Sequence, residues 1–355
     1  MLKTIADKLD TGRSLDCKDA LFLLQQADLL TLGRLADGMR RRLHPQGRVT
    51  FVVDRNVNYT NICITGCRFC AFYRKPDDAE GYLLSHAQVL EKVAELADCG
   101  GTQLLLQGGL HPDLRIEWFE ELFRSLRRRF PQVQIHSLSP AEIVHIAAQS
   151  DLSVEVCLAR LKAAGLASLP GGGAEILVDR VRRRISPEKI GWRRWVEVME
   201  TAHRLGLPGT ATMVFGAGES DEDIVTHLLR LRALQERTGG FSAFIPWSYQ
   251  PGNTELGGEE ATGVDYLRVL AVSRLVLHNI PNIQASWVTQ GGKMAQVALS
   301  FGANDLGGTM LEENVVAAAG ASFRLDRGEL LALIREAGFV PARRTTGYDV
   351  LEEYV

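Results

Sequence analysis

Three cysteines stand close together in the first quarter of the chain, at Cys63, Cys67 and Cys70, with the spacing Cys-x3-Cys-x2-Cys. Thiolates are common ligands of iron–sulfur clusters and of zinc. Three thiolates on one short loop can bind three irons of a [4Fe–4S] cubane and leave the fourth iron without a protein ligand, whereas most such clusters use four cysteines. The spacing therefore predicts a cluster with one open iron, held by these three residues.

An open iron can bind the amino and carboxylate groups of S-adenosylmethionine (SAM), and an electron from the cluster can then cleave the sulfonium to a 5′-deoxyadenosyl radical. Phe69, directly before the last cysteine, is expected beside the adenine of SAM. A zinc knuckle and a chance group of cysteines are the alternatives, but zinc sites want four ligands and no fourth Cys or His stands at suitable local spacing. Cys17, Cys99 and Cys157 fall in helical patterns and are interpreted as packing residues.

Further ligand-type residues stand at the ends of predicted strands. Two glycines follow the second predicted strand, where the missing side chains let the backbone approach a ligand closely. A run of three glycines precedes Glu175, which is placed to accept hydrogen bonds from ribose hydroxyls, although such a run also fits a loop and helix cap. The predicted cofactor-binding residues are Phe69, Gln107, Gly108, Gly109, Ser137, Glu175 and Phe215.

Eight predicted strands would position these residues. They cover 49–54, 102–107, 133–138, 166–169, 209–215, 241–245, 282–286 and 304–309. Most neighbouring strands are separated by helix-like patterns, such as 88–98 and 118–129. Alternating strand and helix units predict a parallel sheet covered by helices, and eight units predict an α/β fold closed into a (β/α)8 TIM-type barrel with its chemistry at the carboxyl ends of the strands.

The barrel is expected to span residues 49–316. Residues 1–48 carry apolar positions at helical spacing and are predicted to form an N-terminal helical extension. Residues 317–355, with a final helix over 329–337, are predicted to form a C-terminal helical extension packed on the barrel.

Composition limits the function classes. Forty basic and 43 acidic residues give a formal net charge of −3, so there is no electrostatic case for a nucleic-acid partner. No stretch approaches the roughly 18 consecutive apolar residues of a membrane span, and residues 1–10 lack the hydrophobic stretch of a signal peptide. We therefore expect no membrane insertion and a cytoplasmic location, where thiols stay reduced.

The sequence around the cluster loop resembles a known family. The loop lies in the segment Asp54-Arg-Asn-Val-Asn-Tyr-Thr-Asn-Ile-Cys63 and ends in Cys70-Ala-Phe-Tyr-Arg74, and further matching stretches cover 107–113, 170–177, 244–247, 284–290 and 302–308. With these stretches the chain resembles the radical SAM enzymes of the futalosine route to menaquinone and of deazaflavin (F420 chromophore) synthesis, and most of all the cyclases of the futalosine route. The resemblance covers nearly the whole chain, whereas the cysteine motif alone is specific only for the superfamily.

The resemblance implies an oxidoreductase that cyclises dehypoxanthine futalosine, with a [4Fe–4S] cluster and SAM as cofactors. The deoxyadenosyl radical would remove hydrogen from C4′ of the ribose, and the carbon radical would add to the benzoate ring. In such enzymes a glycine pair after the second strand contacts the methionine part of SAM. The expected protein partner is an electron donor such as flavodoxin or ferredoxin. The candidate partners of the substrate carboxylate and ribose are Arg55, Arg74, His111 and Asp305.

Three alternatives remain at this point. Aminofutalosine synthase, from the same route, and a deazaflavin synthase subunit acting on tyrosine share the cluster motif. The third alternative is a non-catalytic iron–sulfur or zinc-binding scaffold. Product masses separate the enzymes from one another, and release of 5′-deoxyadenosine from SAM separates any of them from a scaffold.

Overall fold

Parallel strands form the centre of the fold in the computed structural model, which describes residues 1–354. The central strands are β1 (Arg48–Val52), β2 (Asp54–Asn58), β3 (Gln103–Gln107), β4 (Gln134–Ser137), β5 (Leu166–Ser168), β6 (Gly209–Phe215), β7 (Phe241–Ser248), β8 (Asn282–Ile283) and β9 (Asp305–Gly308). Two more strands, β10 (Val340–Arg344) and β11 (Val350–Glu353), follow near the end of the chain.

Helices precede, separate and follow the strands. Those before and around the first half of the barrel are α1 (Leu2–Asp10), α2 (Cys17–Gln25), α3 (Leu29–Leu43), α4 (His86–Asp98), α5 (Ile116–Arg129), α6 (Pro140–Gln149) and α7 (Val154–Ala164). The remaining helices are α8 (Asp179–Ile185), α9 (Trp192–Arg204), α10 (Asp221–Thr238), α11 (Gly263–Val276), α12 (Trp287–Ala298), α13 (Val315–Ala318) and α14 (Arg327–Glu336). Many begin at a side-chain cap; Ser139, for example, caps α6 in a reciprocal box with Glu142.

The strands close into a ring. β2 to β5 pair in sequence order, β6 to β8 form a second parallel group, and β1 pairs with β9. Single bridges from Leu169 to Gly209 and from Gln284 to Asp305 join these groups, and β1 is followed after one residue by β2. The predicted (β/α)8 barrel is thus confirmed, and the carboxyl ends of its strands meet at one face, where such barrels place their chemistry.

The first barrel strand differs from its prediction. A single strand over 49–54 was expected, but β1 ends at Val52 and β2 begins at Asp54. β1 pairs with β9 on one side and with β10 on the other, whereas β2 pairs with β3. The interruption therefore lies where the neighbour of the strand changes from β10 to β3.

The C-terminal segment also differs from its prediction. The final helix is present as α14, but the residues after it form β10, which runs parallel to β1, and β11, which pairs antiparallel with β10. The sequence of β10 is Val-Pro-Ala-Arg-Arg, which shows no hydrophobic alternation, and its hydrogen-bond partner β1 lies almost 300 positions earlier. The prediction of a purely helical extension was wrong because only the long-range pairing makes this segment a strand.

The N-terminal helices pack on helices of the barrel, where α2 contacts α10 and α11. α3 packs on α11, and Gly33 of α3 lies directly against the ring of Phe301. Ile5, Leu23 and Leu32 are fully buried and belong to the same hydrophobic core as the barrel strands. Within residues 1–354, no helix combines the length and the apolar character that crossing a bilayer requires.

Candidate active site

The loop that carries the three cysteines follows β2 and is fixed by backbone hydrogen bonds. The N–H of Cys63 donates to the carbonyl of Arg74 at 2.9 Å, and the N–H of Arg74 donates to the carbonyl of Asn61 at 2.8 Å. Between the first two cysteines, Gly66 has a φ of +49°, which glycine adopts without a steric penalty. The loop is thereby folded back on itself, and its two ends cannot separate without breaking these bonds.

The sulfur atoms of the loop form a donor set suited to a cluster. The hydroxyl oxygen of Thr65 lies 3.1 Å from the Sγ of Cys63 and 3.6 Å from the Sγ of Cys67. Burial raises the pKa of the Cys67 and Cys70 thiols, while the nearby ammonium of Lys189 acts in the opposite direction on both. Cluster binding therefore has to displace these protons, as metal binding by thiols generally does.

The arrangement fits a cubane better than a single ion. Across residues 1–354, no three His, Cys, Asp or Glu side chains converge as ligands of one metal ion. A zinc site requires such convergence of four ligands, whereas each thiolate of a cubane binds a different iron atom. The assignment of Cys63, Cys67 and Cys70 as the three ligands of a cubane stays a prediction that this arrangement allows.

The glycine pair after β3 packs directly under the cluster loop. A Cβ atom on Gly109 would overlap the carbonyl group of Ile62 and lie 2.8 Å from the Cβ of Cys63. A Cβ atom on Gly108 would lie 2.7 Å from the ring of Tyr59. The structure therefore gives both glycines a role in seating the loop, while contact of this pair with SAM stays a prediction.

A cavity of about 310 Å³ fills the interior of the barrel. Phe69 and Cys70 of the cluster loop contribute to its wall. Small or polar side chains on the inner faces of the strands, such as Asn56 and Thr212, leave this space open, and Trp247 adds an aromatic wall. The volume is in the range of small-molecule binding sites.

A buried ionic network lies beside the cluster loop and reaches the cavity. Glu175, which lines the cavity, accepts a hydrogen bond from Lys189 at 2.8 Å, and the guanidinium of Arg182 lies 3.5 Å from its other oxygen. Although burial disfavours the charge of Lys189, Glu175 and Cys67 keep its pKa above the ordinary value. The same ammonium lies 5.6 Å from the ring centroid of Phe69, which links the two predicted SAM contacts.

The C-terminal segment supplies another part of the cavity wall. Arg344, at the end of β10, and Tyr348 both line the cavity. Arg344 donates two hydrogen bonds to Asp305, at 2.5 and 2.9 Å, and its guanidinium lies 3.9 Å from the ring centroid of Tyr348. Thr50 also donates to Asp305. Asp305, a predicted substrate contact, is fully buried and is placed behind Arg344 rather than on the cavity wall.

Three other predicted substrate contacts are engaged elsewhere. Arg55 points away from the cavity and forms ion pairs with Glu95 and Glu312. Arg74 pairs with Glu80 and donates to backbone carbonyls of the cluster loop. His111 lies in a separate small pocket beside Glu142 and His145.

Some of the predicted cofactor residues line the cavity, and others lie outside it. Phe69, Gln107 and Glu175 line the cavity. Ser137 is fully buried and donates to the carbonyl of Leu106, and Phe215 stacks against Tyr266 in the core. The first three residues are therefore brought together, and the last two support the barrel from outside the cavity.

Several cavity residues were not singled out from the sequence. Asp54 opens the quoted cluster-loop segment, so its position was known while its role was not. His136, at the end of β4, is another such residue. Burial lowers its pKa to about 3, and its Nδ1 lies 2.6 Å from the hydroxyl of Ser168. Arg344, on the cavity wall, and Lys189, which binds the cavity residue Glu175, carried no local signal, because only the tertiary fold places them there.

Comparison with known proteins gives consistent matches. Residues 57–231 match the model of the Radical SAM superfamily, and residues 238–354 match the model of the CofH/MqnC C-terminal region. The chain is similar to the cyclic dehypoxanthine futalosine synthase of Halalkalibacterium halodurans, with 46% identity covering 99% of this chain and 95% of that protein. It is also similar to the 5-amino-6-(D-ribitylamino)uracil–L-tyrosine 4-hydroxyphenyl transferase of Methanopyrus kandleri, with 42% identity covering 99% and 95%.

A solved structure supports the fold. The crystal structure of methylornithine synthase (PylB) superposes with a TM-score of 0.76 at 18% identity and covers 96% of this chain and 97% of that one. The superfamily match confirms the predicted enzyme class and the predicted [4Fe–4S] and SAM cofactors, and it removes the zinc scaffold from the alternatives. On the identity over nearly its whole length, the chain belongs to the radical SAM family of the cyclic dehypoxanthine futalosine synthases.

Proposed function

We propose that this protein cyclises dehypoxanthine futalosine to cyclic dehypoxanthine futalosine in menaquinone biosynthesis. The observation that carries the proposal is the 46% identity to a synthase of that name over 99% of the chain. The cavity is consistent with it, because a carbon radical must be kept from solvent and from stray hydrogen donors while it finds its partner. Interior walls built from strands hold the reacting atoms at near-contact distance.

The cofactors supply the radical chemistry, and the chain supplies binding and orientation. When bound, the cluster and SAM provide the 5′-deoxyadenosyl radical that removes hydrogen from C4′ of the substrate. Cys63, Cys67 and Cys70 hold the cluster. Glu175, oriented by Lys189, accepts hydrogen bonds from the ribose hydroxyls of SAM, since a buried carboxylate with one face toward the cavity is suited to that contact.

The substrate carboxylate is assigned to the part of the wall formed by the C-terminal segment. Within the described chain, Arg344 is the single cationic side chain on the cavity wall. Asp305 binds one edge of its guanidinium, and the carbonyl of Thr345 accepts from Nη1 at 3.1 Å. Nη1 and Nη2 each carry a second hydrogen, so donors remain for a substrate carboxylate. Asp305 thus acts in this proposal as a positioning residue for Arg344.

A one-electron donor of the flavodoxin or ferredoxin type is proposed as the protein partner. Ile64, at the outer side of the cluster loop, is 49% exposed, so a redox protein can approach close to the cluster. The proposed location is the cytoplasm, because the cluster thiols have to stay reduced. Reduction of the reconstituted cluster by flavodoxin, followed in its visible absorption, tests this partner; no bleaching with either flavodoxin or ferredoxin would contradict it.

A second candidate function is transfer of the 4-hydroxyphenyl group of tyrosine. Its support is the 42% identity to a transferase of that name, only slightly below the identity to the synthase. The two activities are separable because their substrates share no common skeleton. The experiment compares them under identical conditions.

Anaerobically reconstituted and reduced protein is incubated with SAM and either dehypoxanthine futalosine or the pair of tyrosine and 5-amino-6-(D-ribitylamino)uracil. Mass analysis should show loss of two hydrogens from dehypoxanthine futalosine and one 5′-deoxyadenosine per product. Cys67→Ala is the control that retains the fold but lacks a cluster ligand. Turnover of the tyrosine pair alone would replace the proposed function by the transferase.

A further inference from the structure

The acidic side chains of the cavity wall differ in their salt-bridge and hydrogen-bond partners. Glu175 is paired with Lys189, and Glu313 accepts hydrogen bonds from three backbone N–H groups at the start of α13. In the described part of the chain, Asp54 has no salt-bridge partner and accepts no hydrogen bond from the start of a helix. Among the residues that the structure describes, it is the one cavity carboxylate that neither binds a cationic side chain nor caps a helix.

Asp54 is held in place by two uncharged donors. The backbone N–H of Met310 donates to its Oδ1 at 2.8 Å, and the side-chain amide of Gln103 donates to its Oδ2 at 3.2 Å. Gly308 lies against the carboxyl group, and a Cβ atom there would overlap it. Each oxygen keeps a free lone pair, so the carboxylate can still accept a proton from a ligand in the cavity.

The surroundings of Asp54 raise its affinity for a proton, so that its carboxylate can act as a base near neutral pH. Burial raises its pKa to about 6, against which its hydrogen bonds and Arg344 on β10 act, while Asp305 on β9 acts with burial. His136 on β4 is neutral at this pH, and burial keeps Tyr348 protonated by raising its pKa. A base whose pKa lies near the working pH is suited to general base catalysis.

His136 is the competing proton acceptor on the cavity wall. Its pKa of about 3 makes the imidazole a much weaker base than Asp54 at neutral pH. One of its ring nitrogens is already engaged with Ser168. Asp54 also lies in the field of Arg344, to which the benzoate carboxylate is assigned, so the ring would be carried toward Asp54.

We propose that Asp54 is the general base that removes the ring proton after cyclisation, an inference that rests on the proposed function. The C4′–H bond breaks and its hydrogen atom completes 5′-deoxyadenosine, and C4′ forms a bond to a carbon of the benzoate ring. The cyclised ring radical then loses the proton on that carbon to the carboxylate of Asp54. Its remaining unpaired electron leaves to a one-electron acceptor of the iron–sulfur class, and aromaticity is restored.

The test separates hydrogen abstraction from product formation. Substrate with deuterium at C4′ is turned over by the wild type, by Asp54→Asn and by the exposed control Asp98→Asn. We expect Asp54→Asn to place deuterium in 5′-deoxyadenosine, while the ratio of cyclic product to 5′-deoxyadenosine falls at least about ten-fold. Asp98→Asn should match the wild type. Because this ratio is internal to each reaction, it does not depend on how much cluster a preparation carries.

An infrared titration complements the turnover experiment, because it does not depend on turnover. Infrared difference spectra between acidic and neutral samples should show a carboxyl that titrates near pH 6 in the wild type and is absent in Asp54→Asn. In the wild type, the product ratio should fall as the pH drops through that value, since the protonated acid cannot accept a proton. A wild-type ratio that is constant across this range would overturn the proposal even if the variant did not fold.

Other outcomes also decide the matter. An unchanged ratio in Asp54→Asn, a rise in KM alone, or uncoupling by His136→Gln instead would overturn the role of Asp54 and leave the cyclase function intact. If the wild type yields no cyclic product, the proposed function fails, and the role of Asp54 in it fails too. The infrared titration then still reports whether the cavity holds a carboxyl of raised pKa.

Discussion

At the scale of single residues, the chemistry of this protein depends on which polar groups are satisfied and which stay available. Cys63, Cys67 and Cys70 stand together on one braced loop, and Cys17 and Cys99 are exposed on distant helices or helix ends. Glu175 is paired with Lys189, whereas Asp54 is buried without a direct salt bridge. Each of these differences leads to a measurable effect of substitution.

The cluster ligands are tested by metal content. Reconstituted wild type should hold about four irons per chain, and Cys63→Ala, Cys67→Ala or Cys70→Ala should lose cluster absorbance and SAM cleavage, because a cubane held by only two thiolates is labile. Iron analysis and visible spectra measure this. Cys99→Ala is the matched control and should keep both; a Cys99→Ala variant without a cluster would contradict the ligand assignment.

Glu175 is tested by binding. Glu175→Gln should keep cluster absorbance and weaken SAM binding by about 1.5–3 kcal/mol, because a charge-assisted acceptor is lost and the buried Lys189 loses its counter-charge. Calorimetric titration of SAM measures the change. Glu188→Gln, next to Lys189 but exposed, serves as the control; unchanged SAM affinity in Glu175→Gln would remove Glu175 from the cofactor site.

Asp54 should reduce the stability of the fold at neutral pH. Its folded pKa of about 6 exceeds the ordinary aspartate value of 3.8, so the folded state binds the extra proton and becomes less stable as the pH rises from 3.8 to about 6. Between about pH 5 and about pH 7.5, the wild type should lose about 1–2 kcal/mol relative to Asp54→Asn. Urea unfolding measures the difference. A stability difference that does not change with pH would show that the pKa of Asp54 is not raised in the folded state.

At the scale of the elements, two contacts distant in sequence fix the site. The glycine turn after β3 seats the cluster loop, and β10 carries Arg344 to the cavity beside Asp305 of β9. In the first contact the backbone of Gly109 lies against the backbone of Ile62, and in the second two buried charges, those of Arg344 and Asp305, form an ion pair. Neither can be changed without moving a piece of the active site.

Substitution of the glycine turn should displace the cluster loop. In Gly109→Ala the new methyl group would overlap the backbone of Ile62, which cannot yield without shifting Cys63. We expect SAM cleavage to fall about 100-fold, the effect of a misplacement of about 1 Å. Gly38→Ala is the control, because Gly38 lies inside α3 with open space around it, and it should add about 0.5–1 kcal/mol of stability.

The contact between β10 and β9 is tested by its ion pair. Arg344→Met leaves Asp305 buried without a cation and should lower the free energy of unfolding by about 3–5 kcal/mol. The double variant Arg344→Met, Asp305→Leu should recover most of that loss, because apolar groups replace both charges. Chemical denaturation measures both. A double variant as unstable as the single one would show that the charge left unpaired is not the cause.

At the scale of the whole molecule, the three predicted regions share one hydrophobic core. Ile5 of α1, Phe244 of β7 and Ile334 of α14 all belong to it. The boundaries at residues 48 and 316 therefore separate stretches of sequence rather than independently packed units. A common core favours a common unfolding transition.

Unfolding measured by two probes tests this expectation. The five tryptophans lie between Trp118 and Trp287, so their fluorescence reports the barrel, whereas far-UV circular dichroism also reports α1 to α3. The two midpoints should coincide because these helices share buried contacts with the barrel. A helical signal lost before the fluorescence changes would show that the N-terminal helices unfold separately.

The sequence by itself predicted the cluster ligands, and it predicted the barrel that the structure confirms. Cysteine spacing is a local property, and the alternation of strand and helix patterns repeats often enough to predict closure. It also placed Phe69, Gln107 and Glu175 near the cavity, because residues after parallel strands meet at one face. These features depend on neighbours in sequence, so they can be predicted without coordinates.

Only the tertiary structure decided which charged residues reach the cavity. Arg55 and Arg74 were plausible substrate contacts from their position, yet ion pairs hold them outside it. Arg344 reaches it from a segment distant from the cysteines, and Lys189 binds the cavity residue Glu175 from another such segment. β10 is a strand only because β1 lies beside it. The direction of a side chain and the pairing of distant segments depend on the packed core, and no local pattern records them.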